Sequence, residues 1–203
     1  MTDNVILGIT GASGGPYALA ILDGMEKAGF HVHLIISPHG RHLLADECGI
    51  RDPSPERLLG RSSDRITVHP HHNLNSQLAS GSFSTRGMII CPCTSNTLGA
   101  IAGGLGDNLI RRAAHVTLKE ARRLIIVHRE MPLSGIDLEN MVKLQRVGAV
   151  ICPASPGFYL HPSTVSDLVH FVAGRVLDLL AIPHPYQVRY QPDRHADSAE
   201  KSI

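Results

Sequence analysis

An excess of charge of either sign is missing from this chain. Its 203 residues hold 19 Lys and Arg against 18 Asp and Glu, a formal net charge of +1. So even a balance leaves no electrostatic footprint for nucleic acid or an anionic membrane. No apolar stretch approaches the length of a membrane span. The opening Met1-Thr2-Asp3-Asn4 lacks the basic start of a signal peptide. Cysteine is scarce: the four are Cys48, Cys91, Cys93 and Cys152. Cys91-Pro92-Cys93 has one intervening residue, which suits neither a Cys-x-x-Cys redox motif nor half of a zinc knuckle. The expectation is a cytoplasmic protein with reduced thiols. Two nucleotide signatures are also absent, the Gly-x-Gly-x-x-Gly fingerprint and the Lys-Ser/Thr pair of a P-loop. A nucleoside triphosphate is thereby disfavoured.

Histidine is plentiful, with 13 residues, but the spacing does not make a metal site. His69, His71 and His72 fall in a loop, and His184 and His195 in a polar tail. No His-x-x-x-His pair stands beside an acid. His31 and His33 alternate, as on one face of a strand. No metal is expected.

What is present is an alternation of apolar runs and helix-like patterns. Strands are read at 5–10, 31–36, 87–91, 123–128 and 148–151, with a weak one at 66–68. Helices are read at 16–28, 39–48, 95–103, 107–119, 136–146 and 163–181. This order predicts an α/β fold: three layers around a doubly wound, mostly parallel, Rossmann-like sheet. At 43% hydrophobic and 18% charged, the chain suffices for one domain, read as 1–182. Residues 183–203, with three prolines and no apolar periodicity, read as an extended or partly disordered arm. The polar connection 53–64 is either a loop over the site or an oligomer contact.

Three of the strand ends carry small polar residues. Met88-Ile89-Ile90-Cys91-Pro92 runs into Cys93-Thr94-Ser95-Asn96-Thr97. Val5 to Thr10 runs into Gly11-Ala12-Ser13-Gly14-Gly15, and His31 to Ile36 runs into Ser37-Pro38. Each alone is explained by a helix cap or a tight turn. Together they point to a composite pocket at the carboxyl ends of the strands, where open α/β sheets bind ligands. Glycines and helix-start N–H groups there suit a phosphate, and a mononucleotide such as a flavin is plausible. Further along stand Arg111-Arg112, Lys119-Glu120, Arg129-Glu130, Tyr159 and Arg175. Arginine matches phosphate with a planar fork and lysine as a point charge. Glu130 is placed to exchange a proton if it faces the pocket. Taken singly, each of these charges also reads as a solvated face or an ion pair.

Over residues 4–182 the chain resembles the UbiX-type flavin prenyltransferases, formerly called phenylacrylic acid or 3-polyprenyl-4-hydroxybenzoate decarboxylases. The marks are Gly-Ala-Ser-Gly at 11–14, Ser37, Ser80-Gly81-Ser82, Cys-Pro-Cys-Thr-Ser-Asn-Thr at 91–97 and Asn108 to Ala114. Leu118-Lys119-Glu120, Arg129-Glu130-Met131-Pro132, Leu138-Glu139-Asn140-Met141 and Pro-Gly-Phe-Tyr at 156–159 follow in order. The resemblance implies transfer of a dimethylallyl group from dimethylallyl phosphate to N5 and C6 of reduced FMN. The product, prenylated FMN, would serve a UbiD-type decarboxylase. It also implies a homododecamer, no metal, and neither a nucleic acid nor a membrane partner.

Residue by residue, the resemblance assigns Gly11, Ala12 and Ser13 to the FMN phosphate region. Ser37, Thr94, Ser95, Asn96, Thr97 and Arg129 would complete the flavin site. Arg112, Lys119, Arg129, Tyr159 and Arg175 would surround the prenyl phosphate. Glu47, Glu130 and Ser13 would be catalytic. Some relatives carry a tryptophan near the C-terminus, where this chain offers Tyr186 or Tyr190. Two other classes compete. One is an FMN-dependent cysteine decarboxylase, whose Pro-Ala-Ser-Ala-Asn-Thr motif resembles 92–97 and whose histidine base would be His71 or His72. The other is a non-catalytic FMN-binding subunit.

Overall fold

The computed structural model describes residues 2–189. Six parallel strands form one sheet: β1 (Asn4–Ile9), β2 (His31–Ile36), β3 (Ile66–His69), β4 (Gly87–Cys93), β5 (Arg123–His128) and β6 (Ala149–Ile151). Their order across the sheet is β3-β2-β1-β4-β5-β6. Seven α-helices are found among the described residues: α1 (Gly15–Lys27), α2 (Pro38–Cys48), α3 (Pro55–Leu59), α4 (Ser95–Ala102), α5 (Leu109–Lys119), α6 (Gly135–Arg146) and α7 (Val165–Leu179).

The strands read as continuous apolar runs because both faces are buried. Val5, Leu7, Ile9, Leu34, Ile89 and Val127 pack with α1, α2 and α7 in one core. Ile6, Ile35, Met88, Ile90 and Ile126 pack with α4, α5 and α6 in the other. His31 and His33 share the second face, and His33 Nδ1 lies 3.0 Å from His69 Nε2. Among the described residues no helix is long and apolar enough to cross a membrane.

Strand β4 does not keep its alternation. Cys91 lies in the first core and Cys93 in the second, although two residues apart should face the same way. The register against β5 shifts between Ile90 and Cys93, a bulge-like irregularity that turns the strand end. The turned end is clasped to β1. The Thr10 hydroxyl donates to the Pro92 carbonyl at 2.7 Å and accepts from the Thr94 N–H at 3.0 Å.

The connection 53–64 settles one of its two readings. It forms α3 and packs on α1, with Leu58 buried and Arg61 bridging Asp23 and Glu26. None of it lines the cleft described next. Of the expected arm, residues 183–189 follow α1 and α7. The Tyr186 hydroxyl donates to the Ala20 carbonyl at 2.8 Å, and Val188 is buried. Tyr186 is therefore committed to α1, and Tyr190 lies outside the described residues.

Candidate active site

The sheet reverses its winding between β1 and β4, and a cleft of about 730 Å³ opens there at the carboxyl ends of the strands. This is the topological switch point where open α/β sheets bind ligands. The turn after β1 forms one wall. A Cβ on Gly11 would collide with the Cβ of His39, so only glycine lets β1 and α2 approach this closely. Gly14 caps α1 at φ 130°, in the region that favours glycine.

Glu47, near the end of α2, reaches across to that turn. Its Oε2 accepts the N–H groups of Gly14 and Gly15, both at 2.9 Å. Burial pushes the Glu47 carboxyl up, but the Ser13 hydroxyl, these two N–H groups and Arg129 outweigh it and hold it below its ordinary range. Arg129 Nε donates to the Ser13 carbonyl at 3.1 Å. Three elements thus meet on Ser13: the β1 turn, α2 and the end of β5.

The opposite wall is made by two helix starts. Thr94 caps α4, its hydroxyl accepting from Thr97 N–H at 3.1 Å. Asn108 caps α5, accepting from Arg111 N–H at 3.1 Å. Ser37 caps α2 in the same way, from Gly40 N–H at 3.0 Å. Side chains with free φ/ψ-compatible caps explain why each helix begins where it does. Asn96, Thr97, Asn108 and Arg111 all line the cleft.

Of the expected residues, the cleft gathers Gly11, Ser13, Ser37, Glu47, Thr94, Asn96, Thr97 and Arg129. Ala12 is buried beside it. Ser95 turns away. Its hydroxyl lies 3.2 Å from His128 Nε2 and bonds Asp137, whose carboxyl the Ser134 and Ser95 hydroxyls hold down at about 2. Glu130 is exposed and accepts from its neighbour's Met131 N–H at 3.1 Å.

Four expected phosphate ligands stand outside the cleft of a single chain. Arg112 Nε donates to the Ala79 carbonyl at 3.1 Å. Lys119 ends α5, eleven residues long, and pairs with Glu120 at 2.6 Å. A helix of that length carries it some 15 Å from the α5 start. Tyr159 meets Phe171 edge-on and donates to the Val188 carbonyl at 3.4 Å. Arg175 is exposed and 3.5 Å from Asp178.

The cleft also contains residues that no motif had marked. His39, His42, Leu43 and Asp46 line it together with Glu47. Their spacing from 39 is three, four, seven and eight, one face of a helix, and that periodicity was the available signal. Thr10 and Arg111, named in the sequence without an assigned role, line it too. His71 lines the wall as well, and burial, then Arg111, keeps its imidazole below the ordinary range.

An open parallel sheet with hydroxyls, glycines and helix starts around its switch-point cleft defines a flavoprotein, and the Flavoprotein family matches residues 2–177. The flavin prenyltransferase UbiX of Halalkalibacterium halodurans is 43% identical over 192 residues, 93% of each chain. The structure of AnUbiX, solved with FMN and dimethylallyl pyrophosphate, superposes with a TM-score of 0.86 at 34% identity, covering 94% of this chain and 98% of that one. A dodecameric FMN-dependent UbiX-like decarboxylase from Escherichia coli O157:H7 gives 0.84 at 42% identity, covering 93% and 99%. The chain belongs to the UbiX-type flavin prenyltransferase family of flavoproteins.

Proposed function

We propose that this chain transfers the dimethylallyl group of dimethylallyl phosphate to reduced FMN, releasing phosphate and delivering prenylated FMN to a UbiD-type decarboxylase. The cleft suits FMN on three grounds. Its volume lies in the range of small-ligand sites. Its lining brings together the hydroxyls of Thr10, Ser13, Ser37 and Thr94. Its lining includes two guanidinium groups, Arg111 and Arg129, suited to a phosphate. Bound there, reduced FMN supplies the electron-rich N5 and C6 that accept the prenyl carbons.

The contact of Ser13 and Glu47 carries the reading. Glu47 is held ionised by the Ser13 hydroxyl and the two N–H groups, so it can accept a proton through that hydroxyl. Arg129, fixed on the Ser13 carbonyl, stabilises negative charge developing on the departing phosphate. Arg112, Lys119, Tyr159 and Arg175 serve the same phosphate when a neighbouring copy closes the cleft. This requires an assembly, and the dodecameric relative supports a homododecamer. Glu130, at the exposed end of β5, exchanges protons at that mouth. Enclosure by neighbours excludes water that would otherwise capture the cationic prenyl fragment. Residues 1–182 act as one flavin-binding domain, with 183–203 as an arm. The compartment is the cytoplasm, consistent with four free cysteines.

The test is anaerobic incubation of the purified protein with reduced FMN and dimethylallyl phosphate, followed by mass analysis of the released flavin. A gain of one dimethylallyl group in place of a proton is expected. An unmodified flavin, with FMN bound, overturns the reading. His71→Ala is expected to retain transfer, whereas a cysteine decarboxylase with His71 as base would lose its activity.

A further inference from the structure

Three imidazoles meet at the β2–β3 edge of the sheet, outside the cleft, and the reaction above uses none of them. His33 of β2 is buried, at 4% exposure. Its Nε2 lies 3.2 Å from Asn4 Oδ1, and its Nδ1 lies 3.0 Å from His69 Nε2. The ring of His31 stands 4.9 Å from that of His33, and its Nε2 is 2.8 Å from the Thr67 hydroxyl. The protons along this chain of contacts have one arrangement. Asn4 donates through Nδ2 to Thr2 Oγ1 at 3.1 Å, so its Oδ1 is the acceptor that faces His33. His33 therefore carries its proton on Nε2 and accepts on Nδ1. His69 donates to it through Nε2 and accepts on Nδ1 from the Ser76 hydroxyl at 3.3 Å. A second proton on His33 would set two donors face to face, so protonation has to part His33 from His69.

His33 also meets both ends of one segment. His69 begins it, and Phe83 closes it with its ring edge-on to His33 at 5.1 Å. Between them, His71 lines the cleft, and its carbonyl accepts the Leu109 N–H at the start of α5 at 2.8 Å. Leu78 is buried, and the Ala79 carbonyl takes Arg112. Among the described residues, the titratable groups acting on His33 are His69 and His31, and the one acting on His69 is His31, so no carboxylate offsets a proton there. Burial, then the neighbouring imidazoles, push His33 down to about 4 and His69 below its ordinary range.

We propose that His33 is an acid-released latch on residues 69–83. Neutral, it fastens β3 and this segment to β2; protonated, it frees them and with them the His71 side of the cleft. An unfolded chain takes the proton near the ordinary value of 6.5, whereas folded His33 takes it only near 4. The latch is therefore whole above 6.5, and its contribution is lost as pH falls toward 4. The test is hydrogen exchange of residues 66–83 in the full-length protein between about pH 7 and pH 4.5, corrected for intrinsic rates. Wild type is expected to lose at least about tenfold in protection there, and β1, β4 and β5 much less. His33→Asn keeps an acceptor toward His69 and cannot take a proton. Its protection should start lower and stay nearly flat across this range. His69→Gln keeps the donor toward His33 and should retain the acid response. An acid response in His33→Asn equal to that of wild type overturns the latch, as does wild-type protection that falls evenly over the whole sheet. A flat His69→Gln beside a steep His33→Asn gives the titration to His69 and equally overturns it.

Discussion

The two ends of the cleft are built alike and differ in the side chain that meets each helix start. Each is a strand end, a few small residues and a helix start. At α1 the neighbouring helix α2 contributes Glu47, which takes the N–H groups of Gly14 and Gly15. At α4 the neighbouring helix α5 contributes Arg111, with Nε unpaired. A helix start is therefore not a phosphate site by its own nature. A side chain from the next helix can take up its N–H groups, as Glu47 does.

Glu47→Gln tests the acid end and carries the largest expected effect. The change keeps the shape and removes the charge. Prenyl transfer should fall by about 10²–10⁴-fold, the span of general acid–base catalysis, with FMN still bound. An unchanged rate would remove Glu47 from the chemistry and erase the contrast.

Gly11→Ala attacks the geometry that joins the ends. The new Cβ meets the Cβ of His39 at the start of α2, a position that cannot swing aside. Overpacking of this kind costs about 1–3 kcal/mol, read as a lower urea midpoint with unchanged slope. No shift would mean that α2 is free to move off β1.

Asn96→Asp adds a negative charge to the cleft wall that Arg111 shares. A carboxylate placed there should weaken FMN by about tenfold through like-charge repulsion and leave riboflavin alone. Equal weakening of both flavins would count against phosphate at that wall.

The smallest effect is in stability against pH. Glu47 has an ordinary carboxyl value of 4.5 and is held lower in the folded chain. Its contribution is therefore present above the unfolded value and lost as pH falls through the folded one. Wild type should lose more stability than Glu47→Gln across that window. Solvent around the carboxyl keeps the difference small. Superimposable pH profiles would show that the two glycine N–H groups gain nothing from the charge.

The strands were readable because a parallel sheet buried on both faces leaves long apolar runs, as at Val5 to Ile9 and Met88 to Cys91. The polar strand ends were readable because helix caps need hydroxyls and amides. Orientation was not. Arg111 and Arg112 are adjacent, yet 100° per residue separates their directions on α5, and it is Arg111 that lines the cleft. Ser95 looked equivalent to Thr94 but points to His128, because it lies inside the first turn of α4 and not at its cap. Residues 53–64, read as a loop over the site or an oligomer contact, carried no periodicity strong enough to reveal α3. Arg61, pairing with two acids of α1, settles where they lie.

The sequence by itself determined the order of strands and helices, the places where the chain turns and the small residues that gather there. Those follow from local chemistry, which acts within a few residues. Only the tertiary structure decided that Glu47 closes the α1 start, that Thr10 clasps β4 to β1 and that Arg111 faces the cleft. Each depends on elements distant in the chain being packed to within hydrogen-bond reach, and on the bulge in β4 that turns Thr94 toward β1.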